Sequence, residues 1–295
     1  MTTLAHVSDL HGTPVAVVRP RDFAGKRFFG LLSWRNKRRF VHRPEVLEAL
    51  ARDLDAIRPD HIAVTGDLTN VATAEEFPEA RRWLDKLGGP ERVSVVPGNH
   101  DAYVGIAPER SWDLWSDYLR SDDAAGALEF PSLRVRGELA LVGVSSAVPT
   151  ALFLATGRVG RAQLGRLERR LVALRDARLC RVVLIHHPVT QGAISKRREL
   201  RDAAALRALL ARVGAELVLH GHGHRTLFAS LPGPAGAIPV VGVRSASDAT
   251  DRPEKRAQYH VYDIERGAEG FHITARIRGY AANGCFAALG EQVLR

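Results

Sequence analysis

Cysteine is scarce in this chain, and long apolar runs are missing. Cys180 and Cys285 are the only two cysteines. Their spacing suggests neither a disulfide framework nor a zinc knuckle, so a reducing compartment is expected. No stretch of about 18 apolar residues occurs, which argues against a membrane-spanning helix. No basic-then-apolar leader precedes the first strand-like run, Thr3 to Ser8, so a cytoplasmic location is expected. Internal repeats and low-complexity linkers are also missing, which favours one domain over residues 1–295. Acidic residues are nearly absent from one segment. Between Arg19 and Arg43, nine basic residues (Arg19, Arg21, Lys26, Arg27, Arg35, Lys37, Arg38, Arg39, Arg43) stand against Asp22 alone, supplying eight of the nine net positive charges. The remainder is close to neutral, which disfavours bulk nucleic-acid binding and favours a local anionic partner for that segment.

With 45% hydrophobic residues the chain can bury a large core. Short β-rich runs alternate with helical patterns: Leu4–Ser8, Glu45–Ile57, His61–Thr65, Thr73–Leu87, Val93–Val96. That βαβαβ order predicts an open α/β sheet covered by helices. Pro44 opens the first helix and Pro59 follows it, with Val46, Leu47, Leu50, Leu54 and Ile57 as its apolar stripe. Thr73 and Glu76 are spaced as a capping box, and Gly88-Gly89-Pro90 stops the second helix. Strands are also expected at Ala140–Ser145, Arg181–Ile185 and Glu216–His220, and helices at Arg161–Leu174 and Asp202–Val213. Beyond Gly223, the runs Thr226–Ser230, Ile238–Val243, His260–Ile264 and Phe271–Arg276 predict an antiparallel meander.

Polar clusters stand where the strand-like runs end: Asp9-Leu10-His11, Gly66-Asp67, Gly98-Asn99-His100-Asp101, His186-His187-Pro188 and His220-Gly221-His222-Gly223-His224. Loops after the carboxyl ends of strands in an open sheet converge on one crevice. In an extended segment, residues two apart point the same way, so Asp9 with His11, and His222 with His224, can each present two donors together. Carboxylate, imidazole and amide oxygen suit Mn²⁺, Fe, Zn²⁺ or Co²⁺ better than Ca²⁺. One carboxylate can bridge two ions about 3.5–4 Å apart, the arrangement that clamps an in-line phosphoryl displacement. Asp67, alone after its glycine, is the expected bridge.

The ordered series Asp9-x-His11, Gly66-Asp67, Gly98-Asn99-His100-Asp101, His186-x-Pro188 and Gly221-His222-x-His224 resembles the calcineurin-like metallophosphoesterases over residues 9 to 224. The resemblance implies a four-layer αββα sandwich with mixed sheets and a binuclear metal-dependent phosphoester hydrolase of phosphodiesterase or pyrophosphatase type. It implies one metal on Asp9, His11, Asp67 and His224, and another on Asp67, Asn99, His186 and His222, with Mn²⁺ the favoured species. It also implies that His100 faces the substrate as general acid or phosphate contact, that Asp101 orients its ring, and that an activated hydroxide attacks phosphorus. His187 is a candidate for supporting the ligands or touching substrate. His220 reads as the end of a buried strand, and His6, His42, His61, His260 and His272 carry no motif and read as structural. Ser145 and Ser146 follow a strand without a base placed beside them.

An insertion at about 13–43 and an extension at about 280–295 depart from the compact pattern. Phe23, Phe28, Phe29, Leu31, Leu32, Trp34 and Phe40 lie among the basic residues of the insertion. Such a mixture suits a membrane surface, worth about 1 kcal/mol per Lys or Arg near anionic lipid. Family members that cleave UDP-diacylglucosamine illustrate one such substrate. The alternatives are a lid that packs on the protein or binds substrate phosphate, a cyclic nucleotide phosphodiesterase, a nuclease, and a scaffold without catalysis. The scaffold is disfavoured because every ligand position holds a competent side chain.

Overall fold

The computed structural model describes residues 1–15, 25–123 and 128–295. Arg19, Arg21, Asp22 and Phe23 of the basic insertion lie outside the described residues. The first sheet is built from β1 (Thr2–Val7), β2 (His61–Val64), β3 (Val93–Val95), β10 (Gln258–Gly267), β11 (Gly270–Tyr280) and β12 (Phe286–Val293). Its order is β12-β11-β10-β1-β2-β3. The second holds β4 (Ser132–Arg136), β5 (Leu139–Val144), β6 (Cys180–Ile185), β7 (Leu217–His220), β8 (Leu227–Leu231) and β9 (Ile238–Gly242), ordered β4-β5-β6-β7-β9-β8. Both sheets are mixed. β1, β2 and β3 run parallel, as do β5, β6, β7 and β9, while β10, β4 and β8 join their neighbours antiparallel.

The helices are α1 (Lys26–Ser33), α2 (Arg39–Val41), α3 (Pro44–Ile57), α4 (Glu76–Leu87), α5 (Ser116–Leu119), α6 (Arg161–Asp176) and α7 (Ala203–Val213). Val46, Leu47, Leu50 and Leu54 of α3 pack with Phe77, Ala80 and Leu84 of α4 on the outer face of the first sheet. Leu167 and Leu171 of α6 and Leu206 and Leu210 of α7 cover the second sheet. Between the sheets lies a third apolar layer, with Leu4, Ala63, Leu141, Val182, Leu184, Leu219, Tyr262 and Ile273. Helix, sheet, sheet and helix thus stack as the expected four layers. The inner strands β2, β5, β6, β7 and β9 are buried on two faces, which explains their continuous apolar runs.

Local signals account for the helix ends. Pro44 starts α3, and Arg58 closes it in the left-handed conformation, at φ 51°. α4 starts at Glu76 rather than Thr73. The glutamate half of the capping box is present, because Glu76 Oε2 accepts from Thr73 N at 3.0 Å. The same carboxylate accepts from Asn70 N and Val71 N, tying the loop after β2 to the helix.

Two expectations are corrected. The strands beyond Gly223 do not form one meander: β8 and β9 complete the second sheet, while β10, β11 and β12 extend the first. A period-2 pattern gives each run its strand character but does not say which sheet it joins. β4 and β12 were not anticipated. β12 is an exposed edge strand whose one buried residue, Phe286, packs its ring 5.4 Å from Tyr259 and 5.6 Å from Tyr280. The described part of the insertion forms α1, a π-helical turn over Trp34–Arg38, and α2. Among the described residues no helix is long and apolar enough to cross a membrane.

Candidate metal centre

The five polar clusters follow β1, β2, β3, β6 and β7, and the two sheets bring them to a common crevice. Their local conformation differs from the extended one expected. Asp9, His11, Asp67, His222 and His224 all have positive φ, between 45° and 64°. Each such residue costs about 1–3 kcal/mol, and strain of this kind collects at functional sites. The Asp-x-His and His-x-His pairs therefore converge through left-handed turns and not through strand alternation. Cross-loop bonds hold the turns: Asp9 N to Gly66 O at 2.9 Å, His11 N to Asp67 O at 3.0 Å, and His222 N to Asp9 Oδ2 at 3.0 Å. Two glycines permit the close approach. A Cβ on Gly66, itself at φ 89°, would strike the Gly98 backbone, and one on Gly221 would strike Ser8 Oγ.

Three sets of donor atoms each lie within 4.8 Å of one another: Asp9, His11 and His224; His11, Asp67 and His100; Asp67, His186 and His222. Asp67 Oδ2 is 3.3 Å from His186 Nε2 and 3.9 Å from His11 Nε2, so it faces both sides of the crevice. Around His186 Nε2 also stand Asn99 Oδ1 at 3.1 Å and His222 Nδ1 at 3.2 Å. On the other side Asp9 Oδ1 is 3.1 Å from His224 Nε2.

These residues fit divalent cations on two independent grounds. Asp9 Oδ1 is buried and lacks hydrogen-bond geometry to any partner, including His224. In addition, three imidazoles have their far nitrogen on a backbone carbonyl: His11 Nδ1 on Thr69 O at 3.0 Å, His186 Nδ1 on Thr65 O at 2.6 Å, and His222 Nε2 on Arg198 O at 2.9 Å. Such bonds fix the tautomer and aim the other nitrogen at a metal.

The electrostatics agree. Burial alone would raise the Asp9 carboxyl, but His224 and His186 outweigh it and hold Asp9 well below the usual carboxylate range. For Asp67, burial is likewise outweighed, here by His186 and His100. Burial brings His11 down to about 4 in spite of Asp67. Ionised carboxylate and neutral imidazole are the forms that ligate. His186 departs from this: burial lowers it, yet the Asp67 charge carries it up to about 9.

The expected orienting role of Asp101 is corrected. Its carboxylate does not meet the His100 ring but accepts from Asp67 N, Leu68 N, Thr69 N and Gly98 N at 2.9–3.0 Å. The sharp turns leave these amides without backbone partners, and a buried N–H demands an acceptor. Asp101 so clasps the loops carrying Asp67 and Asn99; burial, with the Asp67 charge, pushes it up to about 7. The partner of the His100 ring is Asn70 O, 2.5 Å from Nδ1.

His187 lies behind the ligands, its ring 4.4 Å from His222 and 5.1 Å from His186. Its Nδ1 is 2.7 Å from Ser146 Oγ and its Nε2 3.2 Å from Ala155 O. A base therefore does stand beside Ser146, contrary to expectation, but both residues are fully buried and neither lines the cavity. His220 is buried at the end of β7, as a strand end requires. Sequence reasoning missed His42 and Arg198. The His42 ring packs 4.5 Å from His11, and Arg198 donates to His222 O at 2.7 Å. No motif marks either residue; only their spatial neighbours reveal them.

A sequence model of the calcineurin-like phosphoesterase family matches residues 2–226. A probable cyclic nucleotide phosphodiesterase from Synechococcus is 24% identical over 213 residues, 70% of this chain and 72% of that one. Among solved structures, a dimetal phosphatase from Danio rerio superposes with a TM-score of 0.63 at 12% identity, over 98% of each chain. A purple acid phosphatase from yellow lupin seeds gives a TM-score of 0.60 at 10% identity, over 99% of this chain and 53% of the lupin chain. At these identities the two structures speak to the fold alone, which this chain shares. With its family model matched across most of its length, the chain belongs to the calcineurin-like phosphoesterases and is a metal-dependent hydrolase of phosphoric esters.

Proposed function

We propose that the protein is a binuclear phosphodiesterase or pyrophosphatase acting on an amphiphilic, nucleotide- or lipid-linked phosphoester at an anionic membrane surface. The observation that carries this reading is a two-part cavity of about 420 Å³. Asp67, Asn99, His100, His222 and His224 line its polar part, joined by the cations Lys26, Arg38 and Arg198. Phe29, Leu152 and Phe153 line the rest and remain exposed to solvent. The rings of Phe28, Phe29 and Phe153 touch in series, with centroids 5.4 and 5.5 Å apart. Exposed Arg35, Lys37 and Arg39 follow in the same segment. Rings and cations together suit the headgroup region of a bilayer.

One ion would be held by Asp9, His11, Asp67 and His224 and the other by Asp67, Asn99, His186 and His222. Mn²⁺ is favoured, and Fe, Zn²⁺ or Co²⁺ suit the same donors. Bound divalent ions supply Lewis-acid stabilisation of the phosphoryl charge and activate water. The remaining work falls to the chain. His100, with Nδ1–H donated to Asn70 O, would donate from Nε2 to the departing oxygen only as the imidazolium, which burial disfavours and a phosphoryl anion beside the ring favours. Asp101 keeps the loops of Asp67 and Asn99 in register, and the apolar rim takes the hydrophobic part of the substrate. Residues 1–295 would act as one domain in the cytoplasm, peripheral to the inner face of the membrane.

A second reading, hydrolysis of a cyclic nucleotide, draws on the likeness to the probable cyclic nucleotide phosphodiesterase of Synechococcus. Initial rates with Mn²⁺ on a UDP-linked lipid in anionic vesicles, cyclic AMP, bis-p-nitrophenyl phosphate and DNA separate the two. The expected result is the highest kcat/KM on the UDP-lipid, with co-sedimentation on the vesicles that is lost when residues 19–43 are deleted. Fastest turnover of cyclic AMP, together with unchanged sedimentation of the deletion variant, would replace the amphiphile with the cyclic nucleotide.

A further inference from the structure

The basic insertion does not present all its charges outward. We infer that Arg38 is a substrate-binding residue whose guanidinium, carried into the cavity by the insertion, grips the phosphoryl oxygens of the ester beside the metal ligands. The inference rests on the phosphoester chemistry proposed above and names the residue that joins the insertion to that chemistry.

The local backbone is the first ground. Trp34–Arg38 is a π-helical turn between α1 and α2. An i→i+5 turn inserts an extra residue, which rotates the side chains around it, and such turns concentrate at functional sites. Here Arg35, Lys37 and Arg39 are exposed, while Arg38 lines the cavity with Asp67, Asn99 and His100.

The contacts are the second. Arg38 Nη2 donates to Gly30 O at 3.1 Å and Nη1 to Asn70 O at 3.3 Å. Nη1 also lies 3.1 Å from Nδ1 and 3.5 Å from Nε2 of His100, so the guanidinium rests against that ring. Asn70 O thereby holds both residues in one orientation. Two of the five guanidinium N–H groups are committed to carbonyls, and Nε is buried without any partner. Among the described residues no carboxylate forms an ion pair with Arg38. Glu76 and Asp67 act on the guanidinium only from a distance and do not offset its burial, and enclosing a cation without a paired counter-charge is unfavourable. A phosphoryl group supplies the missing charge, and the planar fork of donors matches its oxygens better than an ammonium would. A membrane headgroup cannot serve, because the guanidinium points away from the exposed face of the insertion.

The rival role is a strut that merely ties the Gly30 and Asn70 carbonyls. Competitive inhibition by inorganic phosphate distinguishes them, measured on Mn²⁺-loaded Arg38→Ala with bis-p-nitrophenyl phosphate as substrate, alongside metal content and melting temperature. The expected result is a phosphate inhibition constant weakened about 10- to 100-fold, the loss of a charge-assisted hydrogen bond. Metal content and melting temperature should match wild type, and Arg38→Lys should recover part of the loss. Unchanged phosphate inhibition with a lowered melting temperature would make Arg38 a strut. Should Arg38→Ala fail to fold, Arg38→Gln, which keeps a donor for one carbonyl, decides by the same criterion. A wild-type enzyme that does not turn over bis-p-nitrophenyl phosphate would overturn the phosphoester reading and Arg38 together, whereas turnover with phosphate inhibition absent, or equal in wild type and variant, overturns Arg38 alone.

Discussion

Replacing Asp67 with alanine is expected to abolish turnover and to strip metal from the protein. Asp67 is the carboxylate common to two of the three donor sets, as His11 is the imidazole, and its Oδ2 faces His11 on one side and His186 on the other. Its Oδ1 accepts from His100 N at 2.7 Å, so the carboxylate cannot swing toward one side without breaking that bond. Removing it would take a ligand from both ions and withdraw the charge that raises His186. Several kcal/mol of transition-state stabilisation depend on the ions, so kcat should fall by about 10³-fold or more. The check is kcat with saturating Mn²⁺ beside elemental analysis of the purified variant. Substantial activity with two ions still bound would contradict the bridge.

His100→Ala should behave differently. The ring lies 4.9 Å from His11 and within reach of Asp67, so position alone would permit a ligand role. Yet Nδ1 is engaged by Asn70 O, Arg38 rests against the ring, and Tyr103 stacks on it at 5.4 Å. These contacts hold a side chain at the cavity wall. Loss of an acid–base group lowers kcat by about 10²–10⁴-fold, and metal content should stay at the wild-type level. Loss of an ion from this variant would instead make His100 a ligand.

The strand ends were legible in the sequence because an apolar run followed by Gly, Asp or His marks both the end of a buried strand and the start of a polar loop. The ordering Asp9 to His224 was legible for the same reason. Less was readable of how the side chains meet. Strand alternation suggested that Asp9 and His11 share a face; instead each enters the left-handed region, at φ 53° and 45°. That conformation depends on bonds to Gly66 and Asp67, which are distant in sequence. The partner of His100 proved equally hidden, since a backbone carbonyl such as Asn70 O leaves no residue-type signal. β12 escaped notice because an edge strand with one buried residue shows no apolar alternation. Arg38 was one basic residue among nine, and only the π-helical turn separates it from its neighbours.

The proposed hydrolysis requires two divalent ions seated among Asp9, His11, Asp67, Asn99, His186, His222 and His224. Chelator-stripped wild-type protein, reloaded with Mn²⁺ and freed of excess, should retain two ions per chain and regain activity in step with their uptake. A chain that retains none, or one that hydrolyses phosphoesters equally well when stripped, would contradict it.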